Sequence, residues 1–224
     1  MKLLSFTQFI LTLLLLAFSI NSYATQWYHV ELVVFEQLDT ITDEQWPEMT
    51  DMTETKSPML TPDMASTLIQ PAQNETLLNT VERLGRSQHY QVQYHQAWQQ
   101  PIMKKRSAKA IGIHSANNMI EGSIKLYKST YLHAALDLWL KENITPVTSW
   151  SDVSPDGDII DAPRNPHLKE SRRIRSKKLY FFDHPKLGAL LQLTPIDTPE
   201  AVQAKEEALE SFSLPTEAAP IATE

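Results

Sequence analysis

The stretch from Ile120 to Leu140 reads IEGSIKLYKSTYLHAALDLWL. Ile120, Gly122, Ile124 and Leu126 alternate with Glu121, Ser123, Lys125 and Tyr127. Beyond Lys128-Ser129-Thr130, Leu132, Ala134, Leu136, Leu138 and Leu140 alternate with Tyr131, His133, Ala135, Asp137 and Trp139. Successive side chains of a strand point to opposite faces, so this period of two sends one set inward and the other outward. The leucine-rich half has helical composition, but its strict alternation does not fit a 3.6-residue period, and the stretch is predicted to be a β-hairpin.

Outward from the hairpin, WYHVELVVFE at Trp27 to Glu36 is β-branched and aromatic, with Tyr28, Val30, Leu32 and Val34 on one face and Trp27, Val33 and Phe35 on the other. A strand apolar on both faces belongs inside a sheet. Tyr90, Val92, Tyr94, Gln96 and Trp98 alternate along another strand that Pro101 closes. Between them Pro71 suits a first helical turn, Leu77, Leu78, Val81 and Leu84 form a stripe, and Gly85 ends it, which predicts a short helix covering the sheet. Leu168 to Ser176 and Leu187 to Leu193 read as further strands around a turn at Asp183-His184-Pro185. Helices are too few to cover both faces of a parallel sheet. The expected fold is therefore α+β, a largely antiparallel β-sheet with one or two helices packed on one face.

Residues 1–24 have the form of an export signal: Lys2, an apolar run from Leu11 to Ile20, and a small-x-small site at Ser22-Tyr23-Ala24. No other run reaches the roughly 20 residues of a membrane span, so no span is expected after signal cleavage. The chain has no cysteine, which excludes disulfides, thiol nucleophiles and an N-terminal lipid-bearing cysteine. A free periplasmic protein is expected. One α+β domain is assigned to 25–196, with an acidic loop at about 38–70 and an acidic, disordered tail at 197–224. The formal net charge of −7 hides an asymmetry, because Asp39 to Asp63 holds seven acids and one base, and the tail repeats that balance. Without both segments and Lys2, 13 acids face 17 bases, so the body is basic.

Catalytic patterns are missing. There is no Gly-rich phosphate loop, no Gly-x-Ser-x-Gly turn and no His-x-x-x-His spacing. The seven histidines are dispersed, so no metal and no cofactor is assigned. Asp183 beside His184 invites an acid-base reading, but neighbours in sequence seldom aim their side chains at each other, and a turn is the simpler role. Cations are concentrated at Lys104, Lys105, Arg106 and Lys109, and again at Lys169, Arg172, Arg173, Arg175, Lys177 and Lys178. If the second cluster is a strand, Arg173 and Arg175 share one face, while Arg172 and Ile174 share the other. Arginine forks suit carboxylates, and export removes nucleic acid as the partner. The anion at hand is then the cell wall, whose sugar rings can lie on aromatic side chains such as Trp98, Tyr127, Tyr131 and Trp139.

RRIRSKKLYFFDHPKLGALLQLTPI at Arg172 to Ile196, with WYHVELVVFE, YQVQYHQAWQQP at Tyr90 to Pro101 and the hairpin, resembles the CsiV family of peptidoglycan-binding cell-shape proteins. The resemblance covers Trp27 to Ile196. It implies a non-enzymatic, periplasmic accessory factor that promotes wall synthesis by a class A penicillin-binding protein with its outer-membrane lipoprotein activator. The alternative is an interaction module of the wall-synthesis machinery without direct peptidoglycan binding. The residues taken as peptidoglycan contacts are Arg172, Arg173, Arg175, Lys177, Tyr180, His184 and Trp98.

Overall fold

The structure, a computed structural model, describes residues 25–47, 68–142 and 164–213. The leader expected at 1–24 and much of the acidic loop lie outside the described residues. In chain order the elements are β1 (Trp27–Gln37), β2 (Gln70–Pro71), α1 (Leu78–Arg86), β3 (Tyr90–Pro101), β4 (Ala110–His114), β5 (Ile120–Lys128), β6 (Leu132–Leu140), β7 (His167–Ile174), β8 (Leu179–Asp183), β9 (Leu187–Ile196) and α2 (Glu200–Ser213).

The strands form two antiparallel sheets, one ordered β2-β3-β1-β9-β8 and the other β4-β5-β6-β7. The antiparallel α+β expectation holds, with one refinement: the strands divide into two sheets that share a core. Tyr28, Val30, Leu32, Val34, Trp98, Phe182 and Leu191 of the first meet Ile113, Ile124, Leu136, Leu138, Leu168 and Ile174 of the second. Each such aliphatic side chain, fully withdrawn from water, contributes about 1.5–3 kcal/mol relative to exposure. The hairpin forms as its alternation requires, from Ile120 opposite Leu140 to Lys128 opposite Leu132. β1 is central, paired with β3 and β9 and buried on both faces.

Five expectations are corrected. Pro71 is not in a helix but pairs with Trp98 in the edge strand β2, where a missing N–H is tolerated. α1 starts only at Leu78, leaving Leu78 exposed while Leu77 is buried. β4 and β8 are additional strands: AIGIH is very short, and LYFFD sets its apolar residues side by side, so neither shows clean alternation. The tail is helical over Glu200–Ser213, with Val202 buried. Finally, β3 does not keep one face. Val34 pairs with Tyr94 but Phe35 with Val92, so Gln93 is an extra residue, and this bulge puts Tyr90 and Val92 on the face opposite Tyr94 and Trp98.

Candidate functional site

The outward-facing residues of the four-stranded sheet fall into rows fixed by strand register. His114, Glu121, Trp139 and His167 make the first row, and Gly112, Ser123, Asp137 and Lys169 the second. Ala110, Lys125, Ala135 and Ser171 make the third, and Tyr127, His133 and Arg173 the fourth. Two residues separate successive rows, so the first and fourth lie about 20 Å apart at roughly 3.4 Å per residue. Glycine, alanine and serine dominate the floor between them. This sheet face, with aromatic rings at both ends, is termed the trough.

At the first end the Trp139 and His167 rings stack, with centroids 3.7 Å apart and planes 7° apart. His167 Nε2 lies 2.7 Å from Asp137 Oδ1 and Lys169 Nζ lies 3.0 Å from Oδ2. The His167 contact, then Lys169, hold the Asp137 carboxyl below its ordinary value of 3.8 against the opposing effect of burial. Asp137 is therefore ionised at neutral pH and can only accept, which makes His167 Nε2 the donor. Glu121 is paired with Lys141. Every acid at this end has a cation, and the local charge is nearly balanced.

The fourth row differs. Tyr127 and His133 stack at 5.1 Å and 4°, with Lys105 Nζ 5.5 Å from the Tyr127 centroid. The Arg173 guanidinium carbon sits 3.2 Å from the Tyr131 ring centroid. Among the described residues, neither Arg173, Lys105 nor Lys125 forms an ion pair with a carboxylate. Tyr127 is buried beneath this end, so the exposed ring is Tyr131, set beside cations that meet no carboxylate among the described residues, a combination suited to carboxylates.

Gly122 fixes the hairpin beneath the trough. A Cβ there would overlap the Asp137 carbonyl oxygen and come within 2.8 Å of Leu138 Cα, and its φ of 156° is rarely adopted by L side chains. No other residue lets β5 approach β6 this closely.

The seven sequence-predicted contacts do not form one patch. Only Arg173 lies on the trough. Arg172 points the other way, as expected from its sharing a face with Ile174. Its Nε and Nη2 donate to the two Glu170 oxygens at 2.7 Å, and its guanidinium lies 4.3 Å from the Phe182 centroid. Arg175 lies beyond the end of β7, so it does not share Arg173's strand face; its backbone N–H donates to Tyr180 Oη at 2.7 Å. Lys177 takes φ 60° in the turn before β8, and its N–H donates to the Leu193 carbonyl. His184 lies 5.3 Å from the Trp46 ring and accepts from Lys186 N–H at 3.2 Å, and burial pushes its pKa below 6.5. The turn reading of Asp183-His184-Pro185 fits these contacts. Trp98 is corrected outright: it is fully buried, with Nε1 donating to Gln100 Oε1 at 2.7 Å. Large aromatic area gains most from burial, and Trp98 pairs with core-facing Val30 of β1, which directs it inward.

Alternation singled out Tyr127, Tyr131 and Trp139, but His133, His167, Lys125 and Asp137 were missed as site residues. Only the joint register of β4 to β7 assembles them. Among the described residues, no group of three His, Asp or Glu side chains is arranged to hold a metal ion, and no helix is long and apolar enough to cross a membrane.

Glu31, on the outer face of the five-stranded sheet, is a second cluster; its carboxylate is internally satisfied, whereas buried His29 Nε2, 3.7 Å from Glu31 Oε2, meets no hydrogen-bond partner among the described residues. The carboxylate is fully buried and accepts from Thr76 N–H at 2.7 Å, Thr76 Oγ1 at 2.5 Å and Leu77 N–H at 2.9 Å. His95 Nε2 is 2.8 Å from Oε1. Burial alone would raise its pKa, but the bonds from Thr76, His95 and Leu77 outweigh it and hold the carboxyl below 4.5. Glu31 thereby sets where α1 begins.

A family model described as "Peptidoglycan-binding protein, CsiV" matches residues 8–196. Neither the curated proteins nor the solved structures include a match.

Proposed function

The chain belongs to the CsiV family of peptidoglycan-binding proteins, and from that premise we propose that it is a periplasmic accessory factor that binds the wall through the trough on the four-stranded sheet. The observation carrying this reading is the pairing, on an open sheet face, of stacked rings with cations that meet no carboxylate among the described residues: Trp139 on His167 at one end, Arg173 on Tyr131 at the other. Sugar rings offer apolar faces to aromatic side chains, and stem peptides carry carboxylates for arginine and lysine. The family description is one of binding, and its sequence shows no activated nucleophile, which favours a non-enzymatic role. Location in the periplasm follows from the wall as ligand and from the export-signal pattern of residues 1–24.

Beyond binding, the role is to promote synthesis by a class A penicillin-binding protein working with its outer-membrane lipoprotein activator, a reading that rests on the family resemblance. Co-sedimentation of the mature protein with purified sacculi tests the binding step: it should pellet at low salt, and a protein that stays in the supernatant would refute it.

One observation favours a second reading, a protein-contact module. Phe35 stacks on Phe181 at 6.0 Å and meets Tyr90 edge-on at 5.4 Å, while Phe181, Tyr90 and neighbouring Leu179 remain more than a third exposed. Crosslinking in intact cells separates the two readings, because a contact module gives a protein adduct even when sacculi binding is absent.

A further inference from the structure

The charge is not spread evenly along the trough. In the first two rows both acids are neutralised within the protein, Glu121 by Lys141 and Asp137 by Lys169, with His167 bonded to the same Asp137 carboxylate. In the last two rows Lys125 and Arg173, with Lys105 beside them, meet no carboxylate among the described residues. The half that holds Trp139 is thus aromatic and near neutral, with carboxylate oxygens able to accept hydroxyl protons. The other half is aromatic and cationic. A ligand of uniform charge would not match both halves.

Resting on the peptidoglycan reading above, we infer that the trough takes a peptide-bearing saccharide in one direction. The sugar lies against Trp139 and His167, and carboxylates of the attached peptide reach Lys125 and Arg173. Register supports the direction. Lys125 is two rows from Trp139, about 14 Å along the strands, and Arg173 three rows, about 20 Å. A carboxyl carried on the ring that stacks on Trp139 falls short of both, whereas a fully extended peptide gains at most roughly 3.3–3.6 Å per residue and spans the gap in about four to six residues. The small residues Ala110, Ala135 and Ser171 leave the floor between clear for an extended backbone.

Competition against sacculi pelleting tests this with the mature protein and three soluble probes. These are peptide-bearing glycan fragments, the same fragments stripped of peptide by an amidase, and peptide-bearing fragments whose carboxylates have been converted to amides. The stripped probe retains the sugar's own carboxyl, so it separates that source of charge from the peptide. Stripped and amidated probes are each expected to compete about tenfold or more less well, one charge-assisted contact being of that size. Lys125→Gln combined with Arg173→Gln, both on partly or fully exposed side chains, should remove the difference between the intact and amidated probes. If either altered probe competes as well as the intact one, or if the difference survives in the double variant, the inference is overturned. Absence of sacculi binding by the unaltered protein would instead overturn the peptidoglycan reading, and this inference with it.

Discussion

The outer faces of the two sheets are built from the same kind of strand and put to opposite uses. On the five-stranded sheet, Trp27, His29, Glu31, Val33 and Phe35 of β1 all point outward yet all are buried. Its one buried carboxylate is met by Thr76, Leu77 and His95. On the four-stranded sheet, Lys169, Ser171 and Arg173 are exposed, and Lys125, Asp137 and Trp139 partly so. The acid there is only half withdrawn from water, and three cations have no acidic partner among the described residues. A face whose central strand is buried and whose Glu31 carboxylate is fully bonded contributes to stability, even though His29 Nε2 meets no partner among the described residues. The open face, with its stacked rings and cations that meet no carboxylate among the described residues, is the one proposed above for recognition.

This contrast can be broken from either side. The largest effect belongs to Gly122→Ala beneath the open face, where a methyl group cannot fit against the Asp137 backbone; a loss of about 4 kcal/mol or more in a denaturant titration is expected. Near-normal stability would mean that β5 and β6 are not this close. Next is Glu31→Ala on the sealed face, which leaves His95 and the Thr76 and Leu77 donors without their acceptor and should cost about 3 kcal/mol. The same carboxyl gives a pH dependence. Its folded pKa is depressed, so its stabilisation is complete above about 4.5, the unfolded value, and is lost as pH falls through the folded value. In Glu31→Ala the acid-side decline of the melting temperature should be shallower than in the native protein; an unchanged profile counts against the burial geometry.

Smaller effects sharpen the comparison. Trp139→Ala should weaken sacculi binding about tenfold with little change in melting temperature, reflecting roughly 1.4 kcal/mol of ring contact. Equal binding would exclude the aromatic end of the trough. Arg172→Ala should do the reverse, costing about 1 kcal/mol of stability through the lost Glu170 and Phe182 contacts while binding is retained. A binding loss there without destabilisation would move the site to the other side of β7.

Much of this contrast could be read from residue order. The hairpin and the double-sided burial of β1 follow from periodicity alone, since every alternate place carries the expected side chain. The two-sheet division could not be read, because it depends on AIGIH and LYFFD, strands too short or too continuously apolar to show a period. The start of α1 is equally hidden: it is set by Glu31, 45 residues upstream of Thr76. For the site, the basic run pointed to β7, but alternation splits Arg172 from Arg173 and the turn takes Arg175 and Lys177. Trp98 went astray for a different reason: alternation shows which residues share its face but not that the face, set by pairing with Val30, is the buried one. Lys125 and His133 share the hairpin, but His167 comes from β7, far along the chain, and joins them only through register.

The most direct test is a backbone amide NMR titration of the mature protein with a soluble peptide-bearing glycan fragment. The expected result is shift changes concentrated at Gly112, Ser123, Lys125, Ala135, Trp139, Ser171 and Arg173, with β1 and the Thr76-Leu77 segment undisturbed. Changes centred on Phe35, Phe181 and Tyr90, or on the turns holding Lys177 and His184, with the trough silent, would contradict it.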